Sequence, residues 1–384
     1  MYLTTYKNPN LPTQQNQISY LDILKGNVTI PEQVPEIEQE FYKITYKIES
    51  PKPFEELSEK QKTHIRNISQ RIFTIYSNIY TKYKNKALAN YYTEFKIPKA
   101  TGGLRTIHAP NEELKSDLNK IKELFETHIK CLPHDSAFAY VKTRDTKQEL
   151  EKHTENNSKW FLKIDLKDFF PSCTLDVVYN TLKNLYPFYY LSYFTRARLR
   201  NLIELCMLNG SLPQGTPTSP LLTNLVMVAY DYEITEYLKS LGAGYVYTRY
   251  ADDILISNKG KFNFNAILTK LNEILQPFTI KKEKTRYGSS NGRNWNLGLM
   301  VNKDNNITLG YRKKQLLNAM LNNFLRDANN NQFWCREDTY HLQGQLSYLK
   351  HVEPNYYEHI LNKYETKYNR TVSATISRIL NPAY

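Results

Sequence analysis

Three aspartates are placed where carboxylates could serve phosphoryl chemistry. Asp252 and Asp253 are adjacent in "TRYADDILIS", residues 248–257, between the strand-like runs Tyr245-Val246-Tyr247-Thr248 and Ile254-Leu255-Ile256. Asp165 lies inside the apolar stretch "FLKIDLKDFF", with Asp168 near its end. Adjacent like charges repel and add nothing to a core, and an ionised Asp inside an apolar strand is costly unless a cation or donor satisfies it. Two divalent cations about 4 Å apart, bridging attacking and leaving oxygens, would give three carboxylates a purpose. Mg²⁺ favours this arrangement of one or two carboxylates plus substrate phosphates. Taken alone, an Asp-Asp pair in a turn is usually just a solvated turn, because Asp favours turns.

The elements that must hold these residues follow from hydrophobic period. Leu57, Ile65, Ile68, Ile72, Ile75 and Ile79 recur at helical spacing between Pro53 and about Tyr83. Residues 92–110, "YTEFKIPKATGGLRTIHAP", read as strand, turn and strand, with Gly102-Gly103 supplying the turn. Helices are expected over 114–130 and 196–208, the latter stopped by Asn209-Gly210 and Pro213, and again after "LPQGTPTSP" (212–220). Another is expected near 262–276, then a strand over "WNLGLMVN" (295–302). From Tyr311 onward Leu316, Leu317, Met320, Leu321, Phe324 and Leu325 mark a helical face. Residues 1–50 are polar and read as an arm or small subdomain.

The 384 residues suffice for two or three cores. Lys and Arg number 51 against 38 Asp and Glu, a formal charge of +13 that suggests a phosphate-bearing partner. The 31 tyrosines could stack on bases, although packing in helices and sheets accounts for most such rings. Four scattered cysteines (Cys131, Cys173, Cys206, Cys335) form no CxxC pair, which argues against zinc and against a disulfide framework and for a reducing compartment. No signal-peptide run opens the chain and no apolar stretch approaches membrane-span length, so a cytoplasmic protein without membrane contact is expected.

These motifs, in this order, resemble a reverse transcriptase. "IDLKDFF" (164–170) resembles the first palm motif and "LPQGTPTSPLLTNL" (212–225) the QG/SP motif beside the incoming nucleotide. "YADD" (250–253) resembles the catalytic hairpin, "KEKT" (282–285) the following lysine motif, and "NLGLMVN" (296–302) the primer-grip region. "FKIPKATGGLRTIHAP" (95–110) resembles the fingers hairpin. The resemblance implies an α+β right-hand polymerase fold: an N-terminal extension (1–90, partly helical), fingers (91–160), palm (161–178 and 212–303, with 179–211 a helical insertion), and a helical thumb and tail (304–384).

It also implies roles. Asp165 and Asp252 would ligate two Mg²⁺ ions, with Mn²⁺ as substitute; Asp253 would assist and the Leu166 carbonyl would add a ligand. Lys99 and Arg105 would hold the triphosphate by a point charge and a planar fork. Gln214 and Gly215 would line the nucleotide pocket, Gly because backbone must come close there. Lys284 would protonate pyrophosphate, a role that competes with that of a solvated lysine beside Lys281 and Lys282. Phe170, five residues after Asp165, would block a 2′-hydroxyl and select dNTPs, while Phe169 reads as core.

Within the family the chain resembles bacterial retron-type and antiphage-defence, or abortive-infection, enzymes, and "HLQGQLSYLKHVEPNYYEHILNKY" (341–364) is similar to their thumb. It departs from retron signatures twice. "ELEKH" (149–153) stands in place of NAxxH and keeps only His153; "NLG" (296–298) stands in place of VTG. The expected partners are a structured non-coding RNA template, a DNA product, dNTPs, and a second copy or an operon-encoded protein. Two alternatives remain open. One is template-independent or protein-primed synthesis, with Tyr2, Tyr6 or Tyr20 as primer; the other is a non-catalytic RNA-binding scaffold.

Overall fold

The structure is a computed structural model that describes residues 53–99, 102–129, 133–185, 188–190, 196–291 and 293–381. The arm at 1–50, with Tyr2, Tyr6 and Tyr20, and also Cys131, lie outside them. Helix α1 (Glu59–Tyr83) begins at a capping box: the Gln61 N–H donates to the Ser58 hydroxyl, and the Ser58 N–H donates to the Gln61 side chain. Ile65, Ile68, Ile72 and Ile79 are buried along its inner face, as their spacing predicts. Strands β1 (Tyr92–Pro98) and β2 (Leu104–Pro110) pair antiparallel, with Ile97 opposite Arg105. Gly102 and Gly103 take φ of +87° and +83° at the turn. Helix α2 (Glu112–Glu123) is capped by Asn111 and continues as a wider π turn to Ile129, within the expected helix.

Helix α3 (Thr146–Glu155) precedes β3 (Trp160–Lys167), the short helix α4 (Phe169–Ser172) and α5 (Leu175–Leu182). Helix α6 spans Arg196–Glu204, and α7 spans Ser219–Ser240 with most of its faces buried. Strands β4 (Val246–Tyr250) and β5 (Asp253–Asn258) form the hairpin around the Asp pair, followed by α8 (Phe264–Ile274) and β6 (Thr279–Ile280). Next come β7 (Arg286–Ser289), β8 (Asn294–Asn296), β9 (Leu299–Val301) and β10 (Ile307–Thr308). Helices α9 (Tyr311–Asn329), α10 (Arg336–Val352), α11 (Pro354–Tyr368) and α12 (Val372–Leu380) complete the described chain.

The central sheet runs β4-β5-β3-β6, with β7 also on β3; β1-β2 and β10-β9-β8 form separate sheets. The described residues divide into two compact units: those within 1–145, 163–254 and 263–285 form one, and those within 146–162, 255–262 and 286–384 form the other. In the first, the sheet carries the three aspartates. In the second, Trp295, Leu299 and Val301 share a core with Leu317, Leu321 and Phe324 of α9 and Leu342, Leu346 and Leu349 of α10. Phe161 stacks on Trp295 at 5.2 Å in that core.

One expectation is corrected. Residues 295–302 form two short antiparallel strands, not one, because the chain reverses at Leu297 and Gly298 (φ +41° and +101°). The Asn294 side chain accepts the Gly298 N–H at 3.0 Å and closes that turn.

Candidate active site

The β4-β5 turn is built on a buried ion pair. Arg249, wholly buried, donates through Nε and Nη2 to the two oxygens of buried Asp231 on α7, at 2.9 and 2.8 Å. Its remaining Nη1 donates to Asn224 Oδ1 at 3.2 Å and to the Ala251 carbonyl at 3.0 Å. The Tyr247 hydroxyl also donates to Asp231, at 2.5 Å. A buried charge persists only when paired and hydrogen-bonded, and here the fork's donors are used. The bond to Ala251 holds a non-glycine residue at φ +56° immediately before Asp252.

The tip of that hairpin meets β3. The Asp252 carbonyl accepts the Leu166 N–H at 3.0 Å, one residue beyond Asp165. On the far side of β3, Leu166 pairs with Ile280, and the Asp165 carbonyl accepts the Lys281 N–H at 2.8 Å. This pairing delivers two ammonium groups to the Asp165 side chain: Lys281 Nζ at 2.5 Å from one oxygen and Lys284 Nζ at 2.9 Å from the other. Asp253 is held by Lys163 of β3, at 2.9 Å.

The electrostatics divide the three acids. Burial pushes the Asp165 pKa up, but bonds from Lys281 and Lys284 outweigh it and hold the carboxyl below its ordinary value. Asp252 goes the other way: burial raises its pKa, and the charges of Asp253 and Asp165 raise it further, against its own backbone N–H and the charge of Lys281. Lys284 is held above its ordinary value, chiefly by its bond to Asp165. Among the described residues no group of three His, Cys, Asp or Glu side chains is arranged as a preformed metal site. Lysine ammonium groups neutralise Asp165 and Asp253 instead. The donor set at the β3/β4-β5 junction consists of carboxylate oxygens, the hard donors that Mg²⁺ takes, so these residues fit that ion.

The fingers hairpin docks beside the QG loop. The His108 N–H of β2 donates to the Gln214 carbonyl at 2.8 Å. Gly215 has φ +116°, and a Cβ there would lie 2.8 Å from both the His108 carbonyl oxygen and Ile107 Cγ2. The close approach seen here is to strand β2. Lys99 and Arg105 are exposed at the end of the same hairpin, where the Lys99 N–H donates to the Gly103 carbonyl at 3.0 Å. Phe169 is buried and packs on Phe278 at 5.6 Å; Phe170 is half-buried.

Several residues escaped the sequence reading. Lys163 and Lys281 had no signal beyond a basic residue on or after a strand. The Arg249–Asp231 pair left only a charged residue in each of two apolar segments, a pattern that could have flagged it. In the second unit, Glu149 and Asn296, which occupy the two departing signatures, bond to each other at 2.6 Å, while His153 lies 2.6 Å from the Ser257 hydroxyl. Burial holds His153 neutral, its pKa lowered to about 3.

Fold, motif order and this junction of carboxylates define a polymerase palm. The chain belongs to the reverse transcriptase (RNA-dependent DNA polymerase) family, whose model matches residues 97–333. More narrowly, it is a retron-like bacterial member and an RNA-directed DNA polymerase. It is 31% identical to the retron Ec73 reverse transcriptase of Escherichia coli over 71% of this chain and 86% of that one. It is 27% identical to the retron Ec83 reverse transcriptase of the same organism, over 72% and 88%. A telomerase structure from Candida albicans resembles it with 13% identity and a TM-score of 0.39; the match covers 75% of this chain and 63% of that one. That likeness is too slight to bear on function. Among the described residues no helix is long and apolar enough to cross a membrane.

Proposed function

We propose that this reverse transcriptase copies a structured non-coding RNA by two-metal phosphoryl transfer, in bacterial antiphage defence. The observation that supports the mechanism most directly is the Leu166 N–H bond to the Asp252 carbonyl, which ties Asp165 and Asp252 to one strand junction. Asp165 and Asp252, with Asp253 and the Leu166 carbonyl, would hold two Mg²⁺ ions; when bound, these supply positive charge to the attacking and leaving oxygens. Lys99 and Arg105 orient and neutralise the triphosphate. Gln214 and Gly215 shape the pocket floor, and Phe170 excludes a 2′-hydroxyl. Lys284, kept protonated by Asp165, holds the proton that pyrophosphate needs on leaving. The +13 charge suits a polyanionic template.

The test uses the full chain with its co-purified nucleic acid, labelled dNTPs and Mg²⁺. Ribonuclease pretreatment should abolish product, and so should Asp252→Ala/Asp253→Ala. Product that survives ribonuclease and stays with protein until proteinase digestion would replace templated synthesis with protein priming. Incorporation unchanged in the double variant would sink the mechanism. For the biological role, phage plating efficiency should rise in cells carrying the double variant in place of wild type.

A further inference from the structure

Tyr140 belongs to no motif singled out in the sequence, yet its position is unusual. It has φ +62°, in the left-handed region where non-glycine residues are strained. The residue is 50% exposed. The loop is fixed on three sides. Asn224 Nδ2 donates to the Ala139 carbonyl at 2.8 Å, and the Phe138 N–H donates to the Arg249 carbonyl at 2.8 Å. Arg144 Nη1 donates to the carbonyls of His134, Asp135 and Ala137 at 3.0, 3.0 and 2.8 Å. Asn224 and Arg249 are the same residues that brace the Asp252 turn, so one buried network sets both the carboxylate and the ring. The ring meets Phe170 in a T-shaped contact, with centroids 6.5 Å apart. Asp252 and Arg105 both act electrostatically on its hydroxyl, the acid raising the pKa that burial already raises and the guanidinium lowering it.

We infer that Tyr140 is a positioning residue for the sugar gate: its ring fixes Phe170 against the incoming nucleotide, so that selection of deoxyribose depends on a pair of rings and not on Phe170 alone. Backbone strain persists only where the surrounding structure over-determines it, as the bonds from Asn224, Arg249 and Arg144 do for this loop. The inference rests on the proposed role of Phe170, and the experiment separates the two.

The measurement is kcat/KM for dTTP against UTP on poly(rA)–oligo(dT), with the full chain. Tyr140→Gly removes the ring and suits the left-handed backbone, so its thermal midpoint should not fall below wild type. Its preference for dTTP should drop by about five- to tenfold, mainly through faster use of UTP. Tyr140→Phe keeps the ring and should stay within about twofold of wild type. Tyr140→Ala serves as a second ring-less variant. Phe170→Ala should lose more, and Tyr140→Gly/Phe170→Ala should lose no more than Phe170→Ala alone, as coupling through one gate requires. Full discrimination by Tyr140→Gly while Phe170→Ala has lost it, or losses that multiply in the double variant, would overturn the inference and leave the gate intact. Full discrimination by Phe170→Ala would overturn the gate and this inference together.

Discussion

At the residue scale the two principal carboxylates have opposite linkage to stability. Asp252 has a raised folded-state pKa, so its charged form is penalised by folding. Below its unfolded value of 3.8 it is protonated in both states and the penalty vanishes; the penalty grows as pH rises through the folded value and is complete above it. In chelator at pH 7, Asp252→Asn should therefore raise the melting temperature by about 2 °C, and the difference should disappear in acid. The same substitution should cut dNTP incorporation by about 10³-fold, or about 4 kcal/mol of barrier. A variant that is both less stable and fully active would contradict both statements. Asp165 has a lowered folded pKa, so its pairing with Lys281 and Lys284 stabilises above the unfolded value and is lost as pH falls through the folded one. Neither direction was legible in the sequence: that of Asp252 rests first on burial, and that of Asp165 on Lys281 and Lys284, which reach it only through the β3-β6 pairing.

At the scale of elements, two contacts carry the geometry. Gly215→Ala would place a Cβ 2.8 Å from the backbone oxygen of His108, at a φ that L side chains avoid. The fingers strand and QG loop should separate, with the KM for dNTPs rising about tenfold and stability falling by about 1–3 kcal/mol in urea titration. Removing one partner of a buried ion pair is worse than removing both. Arg249→Leu should thus cost about 3–5 kcal/mol, and Arg249→Leu/Asp231→Leu should recover part of that. No recovery would mean that the bond to Ala251, and not the charge pair, is what the turn requires. The motifs themselves were readable because each is local: the β1-β2 hairpin, the QG loop and the Asp turn each sit within about twenty residues. The reversal at Leu297-Gly298 was missed because the continuous apolar pattern of "WNLGLMVN" suits one strand as well as two, and a side-chain bond from Asn294 decides between them.

At the scale of the whole molecule, the +13 charge predicts how RNA binding responds to salt. Affinity measured by filter binding should fall log-linearly, by about 10³-fold between 50 and 200 mM salt, whereas Asp252→Ala should leave that slope unchanged. A flat response would remove the electrostatic argument for an RNA template. The sequence by itself determined the family, the order of motifs, the identity of the three acids and the surplus of positive charge, since all of these are properties of residue type and spacing. Only the tertiary structure decided which ammonium neutralises which acid, why Gly215 must be glycine, and that one buried arginine braces the Asp252 turn while its network reaches the loop bearing Tyr140. The physical reason is separation: Asp165 and Lys284 are 119 positions apart, Lys163 and Asp253 are 90. Pairings at that distance are set by strand register and burial, which no local pattern encodes.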